Sequence, residues 1–314
     1  KSQLDPYAKK NTFLVAVSGG PDSLALAALS HTYLKQKKTK FFFVLVDHGI
    51  RANSSKEAKN VKSLFKKKGI NLTILKNKKK INKNFQSHAR EIRYQLLLNF
   101  CKKNKIKFIM TGHHRDDQIE TFLIRLSRGS GIQGLSSMRK VSSLSKNIKI
   151  FRPLLDEKKE GLTFLAKYYF GKIFNDPSNN NQKYLRTKIR NLIKRFEKSG
   201  IKHDRIINSI NNLASTRDTL NIYIKKIEKN CLIKKKNIIS INLKEFLLEN
   251  NEIQLKIFSN CIKEVSKSYY PPRAKKVLNL LKRFQFNKKQ KATLGGCVIN
   301  GDKKNLLISK EELK

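Results

Sequence analysis

Short apolar runs alternate with amphipathic segments through the first half of the chain. Four runs have the length and the β-branched or aromatic content of strands, and a stretch with helical periodicity follows each one. The predicted strands are residues 13–17, 41–46, 71–75 and 107–110, and the helices begin near Asp22, Ser54, Phe85 and His114. This alternation predicts an α/β fold, a parallel sheet with helices on both faces. Ligands of such sheets bind beyond the carboxyl ends of the strands, so we expect a site in the loops after residues 17, 46 and 110.

The pattern changes beyond about residue 200. Helices are predicted over residues 204–228 and 252–267, and a further helix is predicted to begin at Pro271-Pro272 and to end near Phe284. Short β-like runs close the chain around glycine-containing turns, at residues 292–294, 297–299 and 305–308. We therefore predict two domains: an α/β domain over residues 1–199, and a smaller, mainly helical domain with a short β ending over residues 200–314.

Charge and cysteine content narrow the function classes. The 69 Lys and Arg residues against 23 Asp and Glu residues give a net charge of +46, which favours a polyanionic partner. The abundance of Lys, Asn and Ile is also what AT-biased coding would produce, so both explanations stay open. No apolar run is long enough to span a membrane and no signal core opens the chain, so we expect a cytoplasmic protein without a membrane partner. No C-x-x-C pair is present, and the cysteines are far apart: Cys101, Cys231, Cys261 and Cys297.

A glycine-rich turn joins the first predicted strand to its helix, with the sequence LVAVSGGPDS over residues 14–23. Free backbone N–H groups and the positive end of the helix dipole meet there, and phosphate is their natural ligand. The Ser18 and Ser23 hydroxyl groups can donate hydrogen bonds, and the φ angle of Pro21 is already fixed for the first helical turn. The lysine of a Walker motif is missing, and Asp22 indicates Mg²⁺ bridging the phosphates instead. An ordinary strand-to-helix turn, with Asp22 complementing the helix dipole, is the alternative interpretation.

Carboxylate and imidazole side chains follow the fourth predicted strand. Asp117 and Glu120 lie three residues apart on a helix, so they share a face and are suited to hold an ammonium group. An acidic helix start that complements the dipole is the alternative. The consecutive side chains of His113 and His114 diverge by about 100° on a helix, so a phosphate or intermediate contact is predicted rather than a zinc site.

The remaining candidates are one histidine and several arginines. His48 follows the second predicted strand, where it is a candidate for a ligand contact. An ordinary hydrogen-bonded loop histidine is the alternative interpretation. Arg90 and Arg93 share a helical face, with Arg90 nearer the helix N-terminus. The other arginines are candidates for phosphate contacts, or alternatively charged helix faces: Arg125, Arg128, Arg186 and Arg190.

The S-G-G-x-D-S turn resembles the loop of the PP-loop, or N-type, ATP pyrophosphatases. Further motifs narrow the resemblance: VDHGIR at 46–51, AREIRY at 89–94, TGHHRDDQIET at 111–121, RPLL at 152–155, DPSN at 176–179 and TLGGC at 293–297. Together they resemble the tRNA(Ile)-lysidine synthetase family over about residues 11–195, with a further match near the end of the chain.

The resemblance implies an adenine-nucleotide α-hydrolase-like fold and a two-step ligation with ATP and Mg²⁺. L-Lysine would be joined to C2 of the wobble cytidine in the CAU anticodon of tRNA(Ile), through an adenylated cytidine, with release of pyrophosphate and AMP. Codon reading would change from AUG to AUA. The implied ATP-binding residues are Ser18, Gly19, Gly20, Pro21, Asp22, Ser23, Val46, His48 and Gly112. The implied lysine ligands are Asp22, Asp117 and Glu120, which with Arg90 form the catalytic set. The implied RNA or AMP contacts are His113, His114, Arg125, Arg128, Arg186 and Arg190. The resemblance also implies that residues 1–199 form the catalytic PP-loop domain and that the helical domain at residues 200–314 binds the tRNA body.

Three other functions share parts of this pattern. A cytidine thiolase uses the same ATP loop, but such enzymes carry paired cysteines that this sequence lacks. An amidating synthetase acting on a small molecule would need a source of ammonia. The third alternative is a nonenzymatic RNA-binding protein that has the fold of an ATPase but has lost its activity. Such a protein would not release pyrophosphate from ATP, so a pyrophosphate-release assay separates it from an enzyme. Monomer and homodimer both stay open.

Overall fold

The computed structural model describes residues 4–8, 11–37, 39–49, 53–77, 85–174, 185–235, 237–268, 271–286 and 289–311. The motif residues 50, 51 and 176–179 lie outside these ranges. The chain divides into two compact units, Lys1–Ala214 and Ser215–Lys314, and the helix His203–Cys231 contains the division. The boundary that the sequence placed at residue 199 stays a prediction.

The first unit is built on a mixed sheet flanked by helices. Its strands are β1 (Thr12–Val17), β2 (Lys40–Asp47), β3 (Leu72–Lys76), β4 (Phe108–Met110), β5 (Val141–Ser143) and β6 (Lys149–Phe151). Its helices are α1 (Asp5–Ala8), α2 (Pro21–Gln36), α3 (Ser54–Lys66), α4 (Phe85–Lys103), α5 (Arg115–Leu126), α6 (Ile132–Leu135), α7 (Lys159–Phe170) and α8 (Leu185–Lys198), followed by α9 (His203–Cys231).

The strand order in the described sheet is β3-β2-β1-β4-β6-β5. All neighbours pair in parallel except β5, which runs antiparallel to β6 at the edge. The chain leaves β1 for β2 and β3 on one side and then returns to β4 on the other side, so the strand order reverses at β1. This reversal opens a crevice between the loops that follow β1 and β4, where open α/β sheets bind ligands.

Alternating side chains of the strands contact helices on opposite faces of the sheet. Phe13 and Val15 pack with α2, α3 and α7 in one cluster, and Leu14 and Val44 pack with α4 in another. Such double burial explains why the strands read as continuous apolar runs. The predicted parallel sheet with helices on both faces is confirmed. β5 and β6 were not predicted, because they are three-residue strands that lack a long apolar run.

The second unit holds an antiparallel sheet packed against helices. Its elements after α9 are β7 (Leu232–Lys235), β8 (Ile238–Asn242), α10 (Leu243–Leu247), α11 (Asn251–Ser266), α12 (Ala274–Phe286), β9 (Lys291–Leu294), β10 (Cys297–Gly301) and β11 (Asn305–Lys310). The described sheet has the order β7-β8-β11-β10-β9. The predicted helices with a β ending are confirmed, although the sheet gains β7 and β8 and the last helix begins at Ala274 rather than at Pro271-Pro272.

Candidate nucleotide and amine site

The turn after β1 delivers backbone donors to the N-terminus of α2. Gly20 is the N-cap residue of α2 and provides no side-chain cap, and Pro21 occupies the first turn. The Ser23 hydroxyl group holds the turn together: it accepts hydrogen bonds from the Ser18 amide and the Ser18 hydroxyl, both at 3.1 Å, and donates to the Gly20 carbonyl at 3.0 Å. Gly19 has a φ of +88°, in the left-handed region that favours glycine. The turn is therefore shaped to receive an anion at a helix N-terminus.

Gly112, in the loop after β4, lies directly against the start of α2. A Cβ atom at this position would come within 2.7 Å of the Asp22 carbonyl oxygen and 3.0 Å of the Ser23 amide nitrogen. Only a glycine allows the two loops to approach this closely without a shift. The predicted ATP-binding residues of the β1 and β4 loops are thus neighbours at the crevice of the sheet.

Asp22 carries an unusual carboxylate. Among the described residues, no group donates a hydrogen bond to its buried Oδ1 atom. The His114 imidazole lies nearby, with Nε2 at 3.7 Å from Oδ1. Burial raises the pKa of Asp22, and the Asp117 carboxylate adds to this increase, while His114 and Lys159 act against it. A buried oxygen atom without a donor fits a divalent cation or an ammonium group.

His114 links the start of α5 to this carboxylate. It is the N-cap residue of α5: its Nδ1 accepts a hydrogen bond from the Asp116 amide at 3.3 Å, and its own amide donates to Asp117 Oδ2 at 3.1 Å. Because Nδ1 accepts, the ring hydrogen lies on Nε2. That atom is 3.7 Å from Asp22 Oδ1 and also 3.7 Å from Asp117 Oδ2. The imidazole therefore sits between two carboxylates.

Glu120 and Asp117 share a face of α5, as their spacing predicted, and this face meets α8. The Glu120 side chain is 4% exposed, and its oxygen atoms accept from Arg186 Nε at 2.7 Å and Arg190 Nε at 2.5 Å. Arg186 Nη2 also donates to Asp117 Oδ1 at 3.0 Å. An apolar cluster beside these ion pairs joins the same two helices through Ile119, Leu123, Ile189 and Ile193. Arg186 and Arg190 are thus ion-paired with acids of the predicted lysine site, and their RNA contacts stay predictions.

His113 lies among arginine side chains of the same site. Thr111 Oγ1 lies 2.8 Å from its Nδ1. Burial lowers the pKa of His113 to about 3, against the attraction of Asp117, so the imidazole is neutral at neutral pH. Arginine side chains contribute to the lowered pKa: Arg152, Arg90 and Arg186. Arg90 is exposed, and its guanidinium group lies 5.1 Å from the ring centroid of Tyr94 on α4.

The loop after β2 is held by Asp47. This buried carboxylate accepts from the Gly49 amide at 3.0 Å and the Ser55 hydroxyl at 2.6 Å. Burial acts to raise the pKa of Asp47, but these hydrogen bonds outweigh it and the pKa is lowered. Burial and the charge of Arg93 lower the pKa of His48 to about 4. Val46 packs against the α4 side of the sheet, so its predicted ATP contact would be made by its backbone.

Arg125 and Arg128 lie at the far end of α5. Arg125 Nη1 donates to the carbonyl groups of Gly134 at 2.6 Å and Ser137 at 3.2 Å, so it anchors the loop after α5. Arg128 is exposed in the turn that follows the helix. Their roles toward RNA or AMP stay predictions.

Two residues near the site were missed in the sequence. Lys159 begins α7 and lies close enough to Asp22 to act against the rise in its pKa; no motif marked it. Thr111 was quoted within a motif but given no role, although it contacts His113. Its position directly after a predicted strand was the available signal.

Comparison with known proteins supports a family assignment. A family model described as a PP-loop domain matches residues 1–196. A tRNA(Ile)-lysidine synthase of Wolbachia pipientis is 37% identical over 306 residues, covering 96% of this chain and 71% of the relative. The chain belongs to the tRNA(Ile)-lysidine synthase family. A family member from the Wolbachia of Brugia malayi is 35% identical over 97% of this chain and 72% of its own length. A family member from Rickettsia felis is 33% identical over 94% of this chain and 69% of its own length.

A solved structure supports the fold of this family member. The U34-tRNA thiolase of Methanococcus maripaludis aligns with a TM-score of 0.57 and 20% identity, over 67% of this chain and 74% of the thiolase. In the described part of the chain, every helix is too short or too polar to cross a bilayer.

Proposed function

We propose that this protein ligates L-lysine to C2 of the wobble cytidine in the CAU anticodon of tRNA(Ile), using ATP. The observation that carries the proposal is the juxtaposition of an uncapped helix N-terminus with the half-buried acids Asp22 and Asp117. The first feature suits the phosphates of a nucleotide and the second suits the ammonium group of lysine. Membership of the tRNA(Ile)-lysidine synthase family supports the choice of substrates.

In the first step, ATP binds with its phosphates at the turn formed by residues 18–23. The cytidine O2 attacks the α-phosphorus atom, the bond to the β-phosphate breaks, and pyrophosphate leaves toward the amide groups at the start of α2. The unpartnered Oδ1 of Asp22 fits a metal ion, so Asp22 and the phosphates would hold Mg²⁺, which would neutralise the charge of the leaving group. Val46, His48 and Gly112 complete the proposed ATP contacts.

In the second step, the lysine amine attacks C2 of the adenylated base and AMP leaves. Asp117 and Asp22 hold the ε-ammonium group before the attack. The amine must lose a proton to become a nucleophile. Once pyrophosphate has left together with the Mg²⁺ that Asp22 would hold, Asp22 Oδ1 is the proposed acceptor, because burial raises the pKa of this carboxyl group.

Glu120 has a different proposed role within the same site. Both of its oxygen atoms are paired with arginines, so a direct contact with lysine would require one arginine to move. We therefore propose that Glu120 fixes Arg186 and Arg190, and that these guanidinium groups face the AMP or RNA phosphate. Arg90 and the neutral His113 lie on the same side and are proposed to contact the intermediate, with Arg125 and Arg128 farther along the RNA.

The test incubates the protein with ATP, labelled L-lysine and an RNA transcript that carries a CAU anticodon. We expect the label on the RNA and one pyrophosphate released for each lysine transferred. Asp117→Asn should still release pyrophosphate but transfer little lysine, because it removes a charge used in the second step. Asp116→Asn is the matched control and should retain both activities.

Two results would contradict the proposal. Absence of label on the RNA, under conditions in which ATP and RNA bind, would reject the ligase assignment. Transfer of sulfur from a sulfur donor in place of lysine would assign the protein to the thiolase class. Buried cysteines argue against that class: burial raises the pKa of Cys101, which lies in the first unit, to about 12, so little thiolate forms at neutral pH.

A further inference from the structure

Helix α7 carries two large aromatic side chains on its solvent face. Phe164 is 72% exposed and Tyr168 is 80% exposed, one helical turn apart. Their rings are nearly parallel, with an interplanar angle of 15° and a centroid separation of 6.2 Å. The opposite side of the helix packs on α2 through buried Leu162 and Ala166, so the aromatic pair does not serve the core.

Lysine side chains are found on and around α7. Lys167 and Lys172 are exposed on and just after α7, and Lys68, at the end of α3, lies 5.5 Å from the ring centroid of Tyr169. Glu160 is the acidic residue one turn before Phe164, where it complements the dipole of the helix. The α7 surface, which we define as Phe164, Lys167, Tyr168, Lys172 and Lys68, therefore combines flat apolar rings with positive charge.

The position of α7 connects this surface to the site. The helix begins at Lys159, whose charge acts on Asp22, and its Tyr169 lies 2.6 Å from His31 of α2, so the two helices run side by side in the same direction. At 1.5 Å per residue, Phe164 and Tyr168 lie about 7.5 Å and 13.5 Å along the axis from Lys159. The aromatic pair therefore follows the end of α7 that lies near the site, on the solvent face of the helix.

We propose that the α7 surface binds the unpaired nucleotides next to the target base, by stacking on Phe164 and Tyr168 and by pairing of phosphates with the lysines. Aromatic side chains with nearby positive charge are the usual means of holding single-stranded RNA, because every base has a flat face. The positive charge disfavours a second copy of this chain, since the lysines would face one another across the interface. The identity of the RNA rests on the proposed function, but its binding to this surface is measured without ATP or lysine.

The experiment measures binding of a fluorescent anticodon stem–loop with a CAU anticodon to the full chain by anisotropy. Phe164→Ala with Tyr168→Ala should weaken binding by about tenfold or more. Phe286→Ala is the matched control, because this aromatic side chain is 92% exposed in the second unit, and it should bind as the unaltered protein does. Lys167→Ala with Lys172→Ala should reduce the slope of log affinity against log salt by about 0.7 per lysine.

A second RNA makes the test specific for stacking. Abasic nucleotides in place of the loop bases beside the target should weaken binding to the unaltered protein, and they should have little effect on the double aromatic variant. Equal losses for both proteins would overturn the proposal, as would full affinity of the aromatic variant. Conversion of a dimer to a monomer by the aromatic substitutions, measured by ultracentrifugation, would assign the surface to self-association and also overturn it. RNA binding is measured without ATP or lysine, so failure of ligation is distinguishable from failure of binding.

Discussion

The contact between Gly112 and the start of α2 gives a sharp prediction for Gly112→Ala. The added Cβ would lie 2.7 Å from the Asp22 carbonyl oxygen, whereas an ordinary contact begins near 3.4 Å, so the loop or the helix must shift by about 0.7 Å (3.4 − 2.7). The contacting atoms belong to backbone, which cannot rotate away. Because a misplacement of about 1 Å in an active site can cost about a hundredfold in rate, we expect kcat/KM for ATP to fall by at least about tenfold.

The assay is ATP-dependent pyrophosphate release in the presence of RNA, with urea unfolding measured in parallel. Overpacking should destabilise the Gly112→Ala variant by about 1–3 kcal/mol. Gly161→Ala is the control, because Gly161 is helical and no described atom outside the neighbouring backbone of its own helix lies within 4 Å of the added Cβ. This variant should be more stable by about 0.5–1 kcal/mol and should keep its activity. Unchanged kcat/KM and unfolding midpoint for Gly112→Ala would refute the reasoning.

Three further predictions concern charges and the turn. Glu120→Ala leaves two partly exposed arginines without their buried partner and should cost about 2 kcal/mol in urea unfolding, whereas exposed Glu160→Ala should change stability by less than about 0.5 kcal/mol. Burial raises the pKa of Asp22 above its ordinary 3.8, so folding stability falls as pH rises from 3.8 through the folded-state pKa. Asp22→Asn should therefore be more stable than the unaltered protein at about pH 7 yet inactive, and equal stability there would contradict this sign. Ser23→Ala removes the acceptor of two hydrogen bonds and should raise KM for ATP by about tenfold. Ser30→Ala is the control and should leave KM unchanged, because Ser30 lies on the same helix and its buried Oγ has no hydrogen-bond partner among the described residues.

The elements that the sequence predicted are those whose pattern is local. β1 to β4 read as apolar runs because helices cover both faces of the sheet, and the turn at residues 18–23 is contiguous along the chain. β7 was not recognised because three of its four residues are exposed and two of them are lysines, so its pattern resembles a loop. β5 and β6 become strands by pairing with each other and with β4, which is a property of the folded sheet rather than of their own residues.

The sequence indicated that residues of the β1 and β4 loops lie close together, but it did not indicate how their side chains pair. The spacing of Asp117 and Glu120 indicated a shared helical face, and this face exists. Arg186, which pairs with both acids, lies 66 residues from Glu120, and no local pattern reports such a contact. The sequence therefore assigned Glu120 to lysine and Arg186 to RNA, whereas the structure joins them. The buried, unpartnered oxygen atom of Asp22 likewise depends on how two loops pack.

The two uses of the His114 ring limit what evolution or engineering can place at this position. One nitrogen atom closes the first turn of α5, and the other reaches toward two carboxylates. Asparagine or serine would keep the helix start but would be too short to reach Asp22, and glutamine or lysine would have the reach but would not cap well. Tolerance at residue 114 should accordingly be narrow, and a library of all substitutions there should separate variants that fold without turnover from variants that lose both.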